Sequence, residues 1–246
     1  MLKSWILISM ALLSAGAAVA EEEGGIALLP SGTDIKNTES LQRGARNFMN
    51  YCSGCHSLKY LRYNRMATDL KIPESELGNL MFTSDKAFDT INSAMPKDAE
   101  GWFGKQPPDL SLIARARSPD YLYSYMKGFY VDKTRPWGVN NLFLPSAAMP
   151  DVLAQLHGLQ KPVFKNEPDD HGSARMVLVG VDAMTPGALK PEEYDQFVRD
   201  IANFLDYAGE PVKDKRQTMG VFVTLFLLVF FVFAYLLKKE YWKDVH

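Results

Sequence analysis

Apolar residues are distributed along this chain in three ways, and each predicts a different element. Close to the N-terminus, an apolar run from Trp5 to about Ala18 follows Lys3 and ends in Ala18-Val19-Ala20. A basic start, a short apolar core and small residues at a cleavage point make a secretory signal, here residues 1–20. The acidic run Glu21-Glu22-Glu23 then opens the mature chain; an uncleaved anchor is the alternative. Near the C-terminus, Met219 to Leu237 is an uncharged stretch of 19 residues, rich in Val, Phe and Leu. A helix of that length just spans a hydrocarbon core of about 30 Å. Lys213, Lys215 and Arg216 precede it, Lys238, Lys239 and Lys243 follow it, and Tyr235, Tyr241 and Trp242 suit an interfacial aromatic belt. A buried core helix is the competing reading. Apolar residues on every side, behind a basic cluster at the chain end, argue against it.

Between these ends the pattern is periodic. Leu41, Ala45, Phe48 and Cys52 recur every three or four residues, as on one helix face. Gly44 lies on the same face. Glycine costs a helix up to about 1 kcal/mol against Ala, so its presence there suits a close helix crossing; incidental placement is the alternative. A second helix starts at Pro191, with Glu192 and Glu193 favourable at its positive end. Tyr194, Phe197, Val198, Ile201, Phe204, Leu205 and Ala208 form its apolar stripe, and Gly209 and Pro211 end it.

The length, 246 residues, suits one domain with appendages. Both flanks of the span are basic, so charge does not orient it; the export signal does. It places residues 21–212 outside and 238–246 inside, with 213–218 a basic juxtamembrane segment. Residues 21–212 hold 20 Lys and Arg against 26 Asp and Glu, a net charge of −6 beside −2 for the whole chain. Such a domain is a poor partner for nucleic acid and suits a basic protein; ordinary solubility charge is the alternative.

There are two cysteines, Cys52 and Cys55, with His56 directly after. A disulfide or a redox dithiol is conceivable in an exported protein, and zinc would need further ligands. Cys-x-x-Cys-His is the attachment pattern for one covalently bound haem c. Two thiols add across two vinyl groups on one porphyrin edge, and the adjacent imidazole is held against the iron by the same turn. A thioredoxin-like motif needs no His there and sits in a βαβ context, whereas these flanks are helical.

His56 is therefore the proximal ligand, and the sixth ligand decides what the iron does. His246 lies beyond the span, and His157 and His171 sit in polar surroundings that suggest surface loops. Most methionines read as core filler. Met95 and Met149 each precede proline, which favours a turn over a helix. Composition ranks Met149, within Leu144-Pro145-Ser146-Ala147-Ala148-Met149-Pro150, only a little above Met95.

Five features resemble the cytochrome c1 family, the haem subunits of cytochrome bc1 (quinol–cytochrome c reductase) complexes. They are Cys52-Ser53-Gly54-Cys55-His56-Ser57-Leu58; Pro107-Pro108-Asp109-Leu110-Ser111 running into Arg115-Ala116-Arg117; Asp120-Tyr121 with Gly128-Phe129-Tyr130; Asn141-x-Phe143-x-Pro145 before Ala148-Met149-Pro150; and a helix leading into one terminal span. The haem motif is common to c-type cytochromes, whereas the Pro-Pro-Asp-Leu segment with its Arg-x-Arg is far more specific. The resemblance covers nearly the whole mature chain. It implies a mainly α c-type cytochrome domain with long loops and one C-terminal transmembrane helix. It implies Met149 as the sixth ligand, Arg117 and Tyr121 as propionate contacts, and Pro107 and Pro108 as the wall of the haem crevice. A solvated basic patch is the alternative for Arg115 and Arg117. The stretch from Arg62 to Lys105 is short beside longer members of the family, and the extra Cys pair of some relatives is absent.

The function so implied is single-electron transfer from a Rieske-type iron–sulfur protein to a soluble cytochrome c, in a complex with cytochrome b. The chain is then not an enzyme on its own, and lies in a bacterial inner membrane with the haem domain on the periplasmic side. A free-standing anchored cytochrome donating to a terminal oxidase is the alternative. An open-site haem enzyme or sensor stands further off.

Overall fold

The computed structural model describes residues 26–96, 98–168 and 174–244. The signal at 1–20 and His171 lie outside the described residues. In chain order the elements are α1 (Thr38–Tyr51), β1 (Leu58–Arg62), α2 (Tyr63–Leu70), α3 (Glu74–Leu77), a 3₁₀ turn (Gly78–Leu80) and β2 (Thr90–Ile91). Then come α4 (Glu100–Phe103), α5 (Ile113–Arg117), α6 (Pro119–Lys127), β3 (Phe129–Val131), β4 (Val139–Asn141) and α7 (Ala154–His157). The hairpin strands β5 (Gln160–Pro168) and β6 (Ala174–Ala183) follow, and α8 (Pro191–Gly209) and α9 (Lys213–Tyr241) end the chain. The strands pair antiparallel as β1–β2, β3–β4 and β5–β6.

Local chemistry sets the ends of α1. The Asn37 side chain accepts the Ser40 amide at 3.0 Å and caps the start. At the other end Cys52 is the capping residue, and its amide still reaches the Phe48 carbonyl at 2.8 Å. The expected face is buried: Leu41, Gly44, Ala45, Phe48 and Met49. Pro191 occupies the first turn of α8, and the Glu193 carboxylate accepts the Lys190 amide at 2.9 Å. Val198, Ile201, Ala202 and Phe204 are fully buried.

These two helices cross closely at Gly44. A Cβ there would lie 2.7 Å from Phe204 Cβ and inside contact distance of the Asp200 carbonyl. The rings of Phe48 and Phe204 meet at 5.7 Å beside the crossing. A polar lock accompanies it. Asp200, 1% exposed, accepts from Ser40 Oγ at 2.6 Å, Arg43 Nε at 2.6 Å, Arg43 Nη2 at 3.0 Å and Gln196 Nε2 at 2.8 Å. A buried carboxylate is tolerable only with such partners. The Arg43 pKa is raised, chiefly by this hydrogen bond.

α9 is one continuous helix, so the basic segment 213–218 forms its first turns rather than a separate linker. No residue of it is buried, and its apolar part has mean hydropathy 2.7. It meets the domain through charge at its start. Lys213 Nζ donates to both Asp206 oxygens at 2.9 and 2.8 Å, and Arg216 donates to Glu210 at 2.5 and 3.1 Å.

Two expectations need correction. His157 is not on a surface loop: it ends α7 with its side chain 5% exposed. The methionines divide, with Met49, Met66 and Met126 in the core but Met176 and Met184 exposed on and beside the hairpin.

The Gly44 crossing yields a prediction. Gly44→Ala should destabilise the protein by about 2–3 kcal/mol, because neither neighbour is the free end of a flexible side chain. Chemical denaturation of the purified protein measures it, and stability equal to wild type would refute the tight crossing.

Candidate haem site

The motif turn leaves α1 directly. The Cys55 and His56 amides both donate back to the Cys52 carbonyl, at 3.1 and 2.8 Å. This turn places Cys52, Cys55 and His56 together at the helix end. Cys52 and Cys55 form no disulfide with each other. Burial pushes the Cys52 thiol up to about 12 and the Cys55 thiol up from its usual value. Among the described residues, no three His, Cys, Asp or Glu side chains converge as a metal cluster.

His56 is 9% exposed, and its Nδ1 lies 2.8 Å from the Pro108 carbonyl. A carbonyl only accepts, so the proton sits on Nδ1 and the lone pair is on Nε2. Burial also lowers the His56 pKa against the opposing pull of the Pro108 bond, which favours the neutral ring. Neutral imidazole with one nitrogen tied to a carbonyl is the form that ligates metal.

Pro108 is held in place by several bonds. The Leu110 amide donates to the Ser57 carbonyl at 2.9 Å. Asp109 accepts the Lys59 amide and the Ser111 amide, both at 2.9 Å, and the Tyr60 amide reaches Ser111 Oγ at 3.2 Å. The Pro-Pro-Asp-Leu-Ser segment therefore zips along residues 57–60, and proline itself fixes φ. Pro107 is half-buried and Pro108 exposed.

A second group of residues gathers on α6. Tyr121 and Tyr125 stack at 6.0 Å, as their i, i+4 spacing on the helix dictates, and Tyr125 meets Phe129 of β3 edge-on at 5.2 Å. Arg117 Cζ lies 5.3 Å from the Tyr121 ring centre. The Tyr125 hydroxyl points to Met149 Sδ at 3.6 Å. Burial first, then the Tyr121 and Asp151 charges, raises the Tyr125 pKa, so the phenol stays protonated and can donate. Tyr121 is raised by burial, with Arg117 opposing. Arg115 points elsewhere, pairing with Glu210 at 3.4 Å near the start of α9.

Met149 sits on a loop shaped by two asparagines. Asn141, fully buried, accepts the Phe143 amide at 2.9 Å and donates to the Tyr125 carbonyl at 2.8 Å. Asn140 accepts the Ser146 amide at 2.8 Å, where Ser146 has φ 67°. Met95 lies in coil between β2 and α4. The structure thus forms two groups, Cys52–Cys55–His56–Pro108 and Arg117–Tyr121–Tyr125–Met149. Cys52, Tyr121 and Tyr125 all pack against one hydrophobic core. Tyr125 and Asn140 were not singled out from sequence; the four-residue spacing of Tyr125 from Tyr121 was the available signal.

The model of the Cytochrome C1 family matches residues 33–99 and 74–245. A cytochrome c1 of Allochromatium vinosum is 50% identical over 243 residues, 98% of this chain and 99% of that protein. The chain belongs to the cytochrome C1 family. Like its relatives it is an electron-transport protein carrying a covalently bound haem c. A cytochrome c1 of Rhodospirillum rubrum is 27% identical over 95% of this chain and 94% of that protein. The ammonia monooxygenase gamma subunit of Nitrosomonas europaea is 44% identical over 87% of this chain and 86% of that protein. The two family matches overlap within the stretch from Arg62 to Lys105, the stretch that is short in sequence. The site fits the group: two cysteines outside any disulfide, separated by two residues on one turn, then a buried imidazole whose Nε2 has no hydrogen bond among the described residues.

Proposed function

We propose that this chain passes single electrons from a Rieske-type iron–sulfur subunit to a soluble cytochrome c, within a complex that includes cytochrome b. Cys52 and Cys55 would hold the haem through thioether bonds, and His56 Nε2 and Met149 Sδ would ligate its iron. The observation that carries this is the His56–Pro108 bond, which leaves Nε2 as the imidazole's only ligating atom. When bound, the haem supplies a one-electron iron couple, and His/Met ligation raises its potential.

The chain's own residues do the rest. Pro108 holds the His56 ring in one tautomer and one orientation. Tyr125 donates to the Met149 sulfur from one side. Arg117 and Tyr121 meet the propionates, since a guanidinium pairs a carboxylate bidentately and a phenol donates to it. Pro107 and Pro108 wall the crevice. With His56 and Met149 both given to the iron, the chain would offer no open position for substrate there, and quinol chemistry would belong to other subunits. The domain 21–212 lies on the periplasmic side of a bacterial inner membrane, anchored by the span 219–237, with 1–20 removed and 238–246 inside.

Met149→Leu should lower the midpoint potential by on the order of 100 mV, a fraction of the ~0.8 V range that axial ligands cover, and let carbon monoxide bind the reduced iron. Redox titration with carbon monoxide difference spectra checks this; the same change from Met95→Leu instead would move the ligand there. The domain's charge of −6 makes a second prediction. Electron transfer to a basic acceptor should slow about tenfold from low to high salt, and a flat dependence in stopped-flow kinetics would reject steering.

A further inference from the structure

Asp151 follows Met149 by two residues, and its side chain is 6% exposed. A carboxylate so enclosed needs donors. The Leu153 amide supplies one at 3.2 Å. The other is His157, whose Nε2 lies 3.2 Å from Oδ1 and 3.1 Å from Oδ2. The carboxylate accepts, so His157 Nε2 carries the proton that joins them. His157 Nδ1 is buried without a hydrogen-bond partner among the described residues. That is a cost a mere packing residue avoids, since a leucine fills the same space with no polar atom to satisfy.

The backbone beneath His157 is fixed. Leu189 and Ala188 amides donate to the Leu156 and Gln155 carbonyls at 3.0 and 2.9 Å, and the Leu159 amide reaches Thr185 Oγ1 at 2.8 Å. Gly158, at φ 82°, permits this approach: a Cβ there would lie 2.7 Å from the Pro186 carbonyl carbon. The His157 ring packs on Tyr194 at 4.9 Å. Tyr194 donates from its hydroxyl to the Met126 carbonyl at 2.9 Å. Met126 neighbours Tyr125, whose hydroxyl points to the Met149 sulfur. A closed circuit therefore runs from Met149 through Asp151, His157, Tyr194 and α6 back to Met149.

We propose that His157 is a positioning residue for the sixth iron ligand, holding Asp151 and through it the turn that presents Met149. This rests on the reading of Met149 as that ligand. His157 acts only through Asp151 and touches neither the iron nor the sulfur. Its bond fixes where the chain leaves Met149, while Tyr125 addresses the sulfur itself.

The test uses the haem-bearing, detergent-purified protein and four variants: His157→Leu, His157→Gln, Asp151→Asn and Met149→Leu. The readouts are the long-wavelength sulfur-to-iron charge-transfer band of the oxidised protein and the fraction of reduced haem that binds carbon monoxide. Loss of one hydrogen bond to a charged group shifts an equilibrium about tenfold or more. His157→Leu should therefore weaken the band and raise the carbon monoxide-binding fraction about tenfold, and His157→Gln, which keeps a donor, should restore both. If His157→Leu does not accumulate, Asp151→Asn carries the same expectation, as its weaker acceptor loosens the turn without changing its size. Wild-type spectra and carbon monoxide binding in both Asp151→Asn and His157→Leu would overturn the proposal. So would a His157→Leu defect that His157→Gln fails to repair, which would reduce His157 to packing. Met149→Leu separates the two readings: retention of the band there removes Met149 as ligand, whatever the His157 variants do.

Discussion

The 2.8 Å bond between His56 Nδ1 and the Pro108 carbonyl is the constraint on which the rest depends. A carbonyl beside a buried imidazole allows one arrangement: the proton on Nδ1 and the lone pair on Nε2. Each part of that bond is held by a different piece of the fold. Proline stiffness and the zip of residues 109–111 along 57–60 fix the acceptor. The imidazole is delivered by the end of α1, through two amides that return to the Cys52 carbonyl. α1 is located in turn by its crossing with α8, close enough that only glycine fits at position 44. A defect at Gly44 on α1 or Asp200 on α8, where the two helices cross, would therefore be felt at His56.

The proposed sulfur side of the site is built differently. Met149 lies on a loop, and loops do not hold a sulfur by their own backbone. Buried asparagines shape this one from below, the Tyr125 phenol addresses the sulfur, and the Asp151–His157 pair restrains the chain just beyond it. Polar groups enclosed in an apolar setting are costly unless matched. That cost makes each of these contacts selective for one loop conformation.

Legibility in the sequence followed the strength of each physical signal. α1 and α8 have long apolar patterns at the helical period, and the terminal span is apolar throughout, so their positions could be read directly. Gly44 could be read because glycine on a buried helix face has a cost that demands a reason. The hairpin was not read. β5 contains Pro162 and polar residues, and β6 carries the run Met176 to Val181, nearly all apolar, instead of an alternation. His157 looked exposed because Gly158 and nearby polar residues suggest a loop; its partners, Asp151 and Tyr194, come from other elements. The same holds for Arg115 and Arg117, neighbours on one short helix that the fold sends to different tasks. Periodicity speaks for elements, whereas pairings across them rest on tertiary geometry that no local pattern encodes.

The most direct test of the account is the intact mass and thiol content of the denatured mature protein. Thioether attachment through Cys52 and Cys55, the chain's only cysteines, predicts a polypeptide heavier by one haem, coloured after denaturation, with no thiol open to alkylation. A colourless chain of unmodified mass with both thiols alkylated would contradict it.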